Sequence, residues 1–184
     1  MPPREKQNLT DNNETGIWLP MKPIHGLGDP ASLALERFLP FRLSVLSNRL
    51  TRAVSRAYAQ RFHLSAPEWR TMAVLGRYGT MTANSVVERT AMDKVRVSRA
   101  VARLLATNRV TRRTDPEDRR RAILDLTAEG RSIYAQIVPL VLAIESELLE
   151  ALDDKERALL DGVIAKLESR TANRFSRPAE EEED

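Results

Sequence analysis

The sequence predicts a mainly α fold carrying one small β-hairpin, and three observations point to it. Apolar residues recur at helical spacing in both halves of the chain. Two helix patterns, one short and one longer, meet at a tight break between residues 82 and 107. Two short strand patterns, "RVTRRT" and "RAILDL", then flank a charged loop. At 184 residues and 42% hydrophobic content the chain is long and apolar enough for one domain with a real core.

Residues 1–30 hold five prolines, three glycines and little periodicity, so a flexible N-terminal arm is expected there. Trp18 is its odd member, fitting either a lone exposed aromatic or one that packs on the body or a partner. Residues 31–62 read as a long helix, with Leu43, Leu46, Leu50, Val54 and Ala57 spaced by three or four; Pro40 either kinks it or marks its first turn. "LSAPEWRTMAVLGRYG" starts another helix with Ser65 and Glu68 as a capping box, places Trp69, Met72, Ala73 and Gly76 on one face, and ends at Gly79. Thr82 can cap a short helix running to Arg89. After a break at residues 90–93 a further helix covers Lys94 to Thr107. Short helix, turn, longer helix is a helix-turn-helix outline.

On a helical wheel Val97, Val101, Leu104 and Leu105 share one side of that second helix, and Arg96, Arg99 and Arg103 share the other. Asn108 suits a helix end. In the strand Ala122, Leu124 and Leu126 are expected to face inward, alternating with outward Ile123 and Asp125, and Thr127 caps the next helix. The hairpin loop carries Arg119, Arg120 and Arg121, with Asp115 and Asp118 placed to pair with neighbouring arginines and shape it. Between Asp93 and Arg121 ten Lys or Arg stand against four acids, although the whole chain is only +3. A charge run is usually a solvated face. Here it falls on a helix face and a hairpin tip that fit a DNA groove and its phosphates.

Residues 128–170 read as two more helices. Ile133, Ile137, Val141, Ile144, Leu148 and Leu152 form one stripe interrupted by Pro139; Asp153 and Glu156 start a final helix bearing Leu159, Leu160, Val163, Ile164 and Leu167. Residues 171–184, ending in five acids, read as an acidic disordered tail. The stripes fit either an intramolecular helix pair or a dimer.

Other chemistry is poorly provided for. Zero cysteines exclude disulfides and thiol catalysis, and two histidines make a dedicated metal site unexpected. No stretch approaches about 18 consecutive apolar residues, and the N-terminus is too polar for a signal peptide, so no membrane partner and a cytoplasmic location are expected. His63 is expected to be a packed or capping side chain, not a general base, and no nucleophile is paired with it; neither an enzyme nor a cofactor is expected.

"LSAPEW", "MDKVRVSRAVARLL" and "RRTDPEDRRRAILDLTAEGR" together resemble the MarR family of winged-helix transcription regulators, in order and spacing, over about residues 35–170. The resemblance implies a winged helix-turn-helix lobe at residues 63–127, a recognition helix from Lys94 to Thr107, and a wing at Asp115 to Arg121 with Arg120 as its arginine. It implies a homodimer built by the helices at residues 31–62 and 128–170, binding a pseudo-palindromic double-stranded operator. The DNA-contacting set is then Lys94, Val95, Arg96, Ser98, Arg99, Arg103, Arg119, Arg120 and Arg121. Val95 stands where many members have a small hydroxyl residue, and Asn108 where they have glycine.

"LPFRLSVLSNRLTRAVSRAYAQRF" and "EWRTMAVLG" are further similar to members controlling catabolism of hydroxycinnamates and related aromatic acids, in which an acyl-CoA thioester can be the inducer. That similarity implies a repressor released by a small aromatic or acyl-CoA effector, with Arg49, Trp69 and Arg70 as its contacts. Trp69 in the core with both arginines in surface pairs is the competing reading of those residues. A winged-helix architectural or protein-interaction module without an effector is the competing function.

Overall fold

A computed structural model describes residues 33–116, 118 and 121–175. Two units divide the chain between Val45 and Leu46. The N-terminal arm as far as residue 32, Trp18 included, and residues 176–184 lie outside the described residues.

Helix α1 spans Leu39–Phe62, so Pro40 stands in its first turn, where a missing N–H costs nothing, and kinks nothing. The helix begins later than residue 31; residues 35–37 form a turn, with the Arg37 N–H donating to the Ala34 carbonyl at 3.0 Å. After Phe62 the chain leaves the helix through His63, at φ +51°. His63 therefore ends the helix with its backbone, and its side chain is exposed instead of packed.

Helix α2, Ala66–Tyr78, starts as expected: the Glu68 carboxylate accepts the Ser65 N–H at 2.7 Å. Gly79 at φ +81° ends it, a conformation that favours glycine. A two-residue strand β1, Met81–Thr82, was not legible from periodicity. The Thr82 hydroxyl accepts the Ser85 N–H at 3.1 Å and opens α3, Ala83–Thr90. Asp93 accepts the Arg96 N–H at 2.8 Å and opens α4, Lys94–Ala106. Asn108, at φ +54°, takes the left-handed turn out of it.

Strands β2, Val110–Thr114, and β3, Ala122–Leu126, form the hairpin in the register Val110↔Leu126 to Thr114↔Ala122. The sheet order is β1-β3-β2, all antiparallel. Leu124 and Leu126 enter the core as their alternation predicts. Ile123, expected outward, is buried at 8% exposure. The reason is that β3 is the central strand, with Ile123 opposite Thr82 of β1 on one side and Arg113 of β2 on the other.

Thr127 ties three elements together. Its N–H donates to the Arg109 carbonyl at 3.1 Å, its hydroxyl donates to the Asn108 carbonyl at 2.6 Å, and the same oxygen accepts the Gly130 N–H at 3.0 Å to open α5, Ala128–Leu149. By length and composition α5 would reach across a bilayer. Its Ile133 and Ile137 are instead buried in the protein core. Asp153 and Glu156 each accept the other's backbone N–H at 2.9 Å and open α6, Asp154–Phe175. The helix thus runs five residues into the stretch read as tail.

The core gathers Met72 and Leu75 of α2, Val86 of α3, Val97, Val101 and Leu104 of α4, Leu124 of β3 and Ile137 of α5. Fully burying each such side chain is worth about 1.5–3 kcal/mol, so the buried face of α4 alone fixes that helix firmly.

Candidate nucleic-acid interface

Helix α4 is sharply two-sided. Val97, Ala100, Val101 and Leu104 are buried, whereas Lys94, Val95, Arg96, Ser98, Arg99, Ala102 and Arg103 are exposed. The exposed set starts in the first turn and continues to the last, and it contains four cations and no acid. Two of those cations have acidic neighbours. Arg96 Nε lies 3.1 Å from Asp93 Oδ2, with both side chains more than half exposed, so this pair contributes little and leaves Arg96 able to turn toward another anion. Arg103 Nε lies 3.0 Å from Oε1 of Glu68, a carboxylate that is almost fully buried.

The wing extends beside this face. Asp115 N–H donates to the Arg121 carbonyl and Arg121 N–H to the Asp118 carbonyl, both at 2.9 Å, which closes the loop between β2 and β3. Arg121 is exposed; Arg119 and Arg120 lie outside the described residues. Between α3, α4 and the sheet lies a hollow of about 380 Å³, floored by Val97, Val101 and Leu124 and edged by Asn84, Lys94, Ser98 and Arg112. Arg112 is the cation that sequence reasoning counted but did not place. Strand β2 turns it toward Lys94 and Ser98, a consequence of register that charge counting does not reveal.

The MarR family model matches residues 64–121, the stretch that holds α2 to the wing. The transcriptional regulator HosA of Escherichia coli O111:H- is 27% identical over 104 residues, spanning 56% of this chain and 77% of HosA. A MarR/EmrR-family regulator from Acinetobacter sp. ADP1 superposes with a TM-score of 0.71 at 26% identity, over 77% of this chain and 99% of that one. A structure of Bordetella bronchiseptica BpsR, whose DNA binding is regulated by 6-hydroxynicotinic acid, gives a TM-score of 0.58 at 25% identity, over 69% and 98%. Over these stretches the chain is similar to MarR-family regulators.

It accordingly has the winged helix-turn-helix fold of MarR-family transcriptional regulators. The glycine of its "LT-x-x-G" stretch is required by contact, since a Cβ on Gly130 would stand 2.0 Å from the Arg109 carbonyl oxygen. The three residues singled out for an effector lie on α1 and α2. Trp69 is 8% exposed, with the tilted Tyr58 ring centroid 5.6 Å away and the stacked Tyr134 ring centroid 5.9 Å away. Arg70 donates to the Thr51 hydroxyl at 3.2 Å and is exposed, as is Arg49. Trp69 is thus part of the buried core. Its ring neighbours come from α1 and α5, which no local pattern around residue 69 announces. Among the described residues no group of three His, Cys, Asp or Glu could hold a metal ion.

Proposed function

We propose that the protein is a homodimeric repressor that binds a pseudo-palindromic operator and is released by a small aromatic acid or its CoA thioester. The observation that carries the DNA-binding part is the exposed face of α4: Lys94, Val95, Arg96, Ser98, Arg99 and Arg103 stand together on a helix whose opposite face is fixed in the core. The N-terminal residues of such a helix meet base edges in the major groove, and arginine can contact guanine through two hydrogen bonds. Val95, 58% exposed, offers an apolar surface to a thymine methyl and no hydrogen bond.

Support for the dimer comes from apolar side chains that water would otherwise cover: Leu159, Leu160, Val163, Ile164 and Leu167 on α6, and Phe38, Phe41 and Leu43 in the first unit. A two-fold dimer presents two recognition helices to half-sites about 34 Å apart. Repression follows from occupancy, because a dimer lying along one turn of DNA excludes polymerase from it. Acting on the chromosome places the protein in the cytoplasm. Support for an aromatic effector is the likeness to BpsR. An acyl-CoA inducer and the contacts Arg49, Trp69 and Arg70 rest on the sequence similarity alone.

The test compares Arg99→Ala on operator and mixed-sequence DNA. Loss of roughly 1–3 kcal/mol on the operator, with less on mixed sequence, supports base reading by Arg99. Equal losses assign it to phosphate. Arg120→Ala is expected to lose most when A·T-rich sequence flanks the site, because a narrow minor groove concentrates negative potential. Binding indifferent to sequence, and unmoved by free aromatic acids or their CoA thioesters in a thermal-shift screen, would leave the architectural reading.

A further inference from the structure

We infer that Glu68, which belongs to α2 and not to the recognition helix, positions Arg103 for contact with a DNA phosphate. The inference rests on the DNA-binding reading above. The Glu68 side chain is 4% exposed while that of Arg103, its ion-pair partner at 3.0 Å, is 72% exposed. The carboxylate is engaged on both oxygens: Oε1 faces Arg103 Nε, and Oε2 accepts the Ser65 N–H and the Ser65 hydroxyl.

Capping α2 does not account for this arrangement. Glu156 performs the same capping for α6 from an exposed position. Burying a carboxylate is unfavourable unless a cation and hydrogen bonds compensate it, so the burial of Glu68 is bound up with Arg103. The contact is made at Nε, while the Arg103 side chain as a whole stays 72% exposed. A guanidinium is a planar fork of five donors; fixed at one edge, it can still give two parallel bonds from another.

Where that fork points follows from helix geometry. Arg103 lies nine residues beyond Lys94, or about 13 Å along the axis. The major groove is about 12 Å wide, and the N-terminal residues of a recognition helix occupy its floor. A cation in the last turn therefore lies beside the groove wall, where phosphates are. Arginine side chains lose much rotamer freedom when they bind. One already fixed by a buried carboxylate loses less, and a contact that ordering would otherwise weaken becomes useful. Because Glu68 adjoins Trp69, whose ring stacks on Tyr134 and packs tilted against Tyr58, the reach of Arg103 is also tied to how α2 sits in the core.

A phosphate contact is independent of sequence, so the probe is a fluorescein-labelled mixed-sequence duplex of roughly 30 base pairs, titrated with the full chain at several salt concentrations beside thermal melts. Arg103→Ala is expected to lower affinity on the order of tenfold near 0.1 M salt and to reduce the salt slope by about one per bound protomer. Arg103→Lys keeps a cation against Glu68 and should melt near wild type, yet it should lose DNA affinity too, since an ammonium held by the carboxylate has no second edge to offer. Glu68→Gln keeps an acceptor oxygen and should retain affinity. Glu68→Leu should lose affinity several-fold, but lose nothing further when Arg103 is already alanine. Wild-type affinity in both Arg103 variants, or the same Glu68→Leu loss in both backgrounds, overturns the inference. Should Glu68→Leu fail to fold, the lysine variant decides alone. A wild-type chain with no salt-dependent binding to the duplex removes the DNA-binding reading itself, which the wild-type titration reveals before any variant is made.

Discussion

The Arg109 carbonyl oxygen occupies the place where any residue but glycine at position 130 would put its Cβ, at 2.0 Å. The same oxygen accepts the Thr127 N–H at 3.1 Å, so the first turn of α5 is pressed onto the segment that leaves α4. Contact, not backbone torsion, makes glycine necessary. Gly130→Ala must separate the two segments and is expected to cost about 1–3 kcal/mol. At about 2–4 °C per kcal/mol for a chain of this size, a thermal melt should fall by several degrees. An unchanged melting temperature would mean that this joint is looser than its geometry.

Trp69 carries the next expectation. In ring contact with Tyr58 and Tyr134 at 8% exposure, it packs as core, and Trp69→Ala should cost about 3–5 kcal/mol. Urea unfolding followed by circular dichroism measures this directly. A loss below 1 kcal/mol, together with a lost thermal shift from an aromatic acid, would instead mark the ring as an effector contact.

Tyr58 gives a pH dependence. Burial raises its phenol above the ordinary value of 10.0, against smaller lowering effects from the Ser55 hydrogen bond and the Arg70 charge. The folded state therefore holds the proton more tightly than the unfolded state. Its contribution is fully present below pH 10 and is lost as pH rises through the folded-state value. Tyr58→Phe, which gives up the 3.1 Å bond to Ser55 and about 1 kcal/mol, should be less stable at neutral pH yet lose stability less steeply above pH 10. Parallel curves for the two proteins would remove Tyr58 as the cause.

What sequence revealed and what it hid divide by range. Ser65, Thr82, Thr127 and the Asp153–Glu156 pair were readable as helix starts because a cap is a reaction of a side chain with backbone three residues away. The two faces of α4 were readable for the same reason, through its period. Ile123 was misread because its burial depends on β1, a two-residue strand forty residues earlier that shows no alternation of its own. The wheel placed Arg103 on the exposed face but could not show that Glu68 would reach it from α2. That Trp69 meets Tyr58 and Tyr134 was hidden in the sequence, because its two ring partners lie on separate helices.

The last expectation concerns α6. Within the protomer this helix buries almost nothing: Leu159 is 67% exposed, Val163 51% and Ile164 44%. Its start is secured locally, by the Asp153–Glu156 exchange and by Arg157 Nε donating to the Leu149 and Leu152 carbonyls. A helix of 22 residues with an unburied apolar stripe gains little from its own lobe and is marginal alone in water. Its stripe must therefore be covered in the assembled protein, and the proposed dimer supplies the cover. Truncation after Leu152 should leave the winged-helix lobe folded, since the core from Tyr58 to Ile137 is untouched, but sedimentation should show monomers or aggregates in place of a dimer. Ile164→Glu should act in the same direction by placing a charge in the stripe. Operator affinity should fall with it, because two half-sites held by one dimer are bound with the advantage of effective concentration and a monomer has none. A folded dimer from the truncated chain would assign the interface elsewhere and leave the stripe of α6 for another partner.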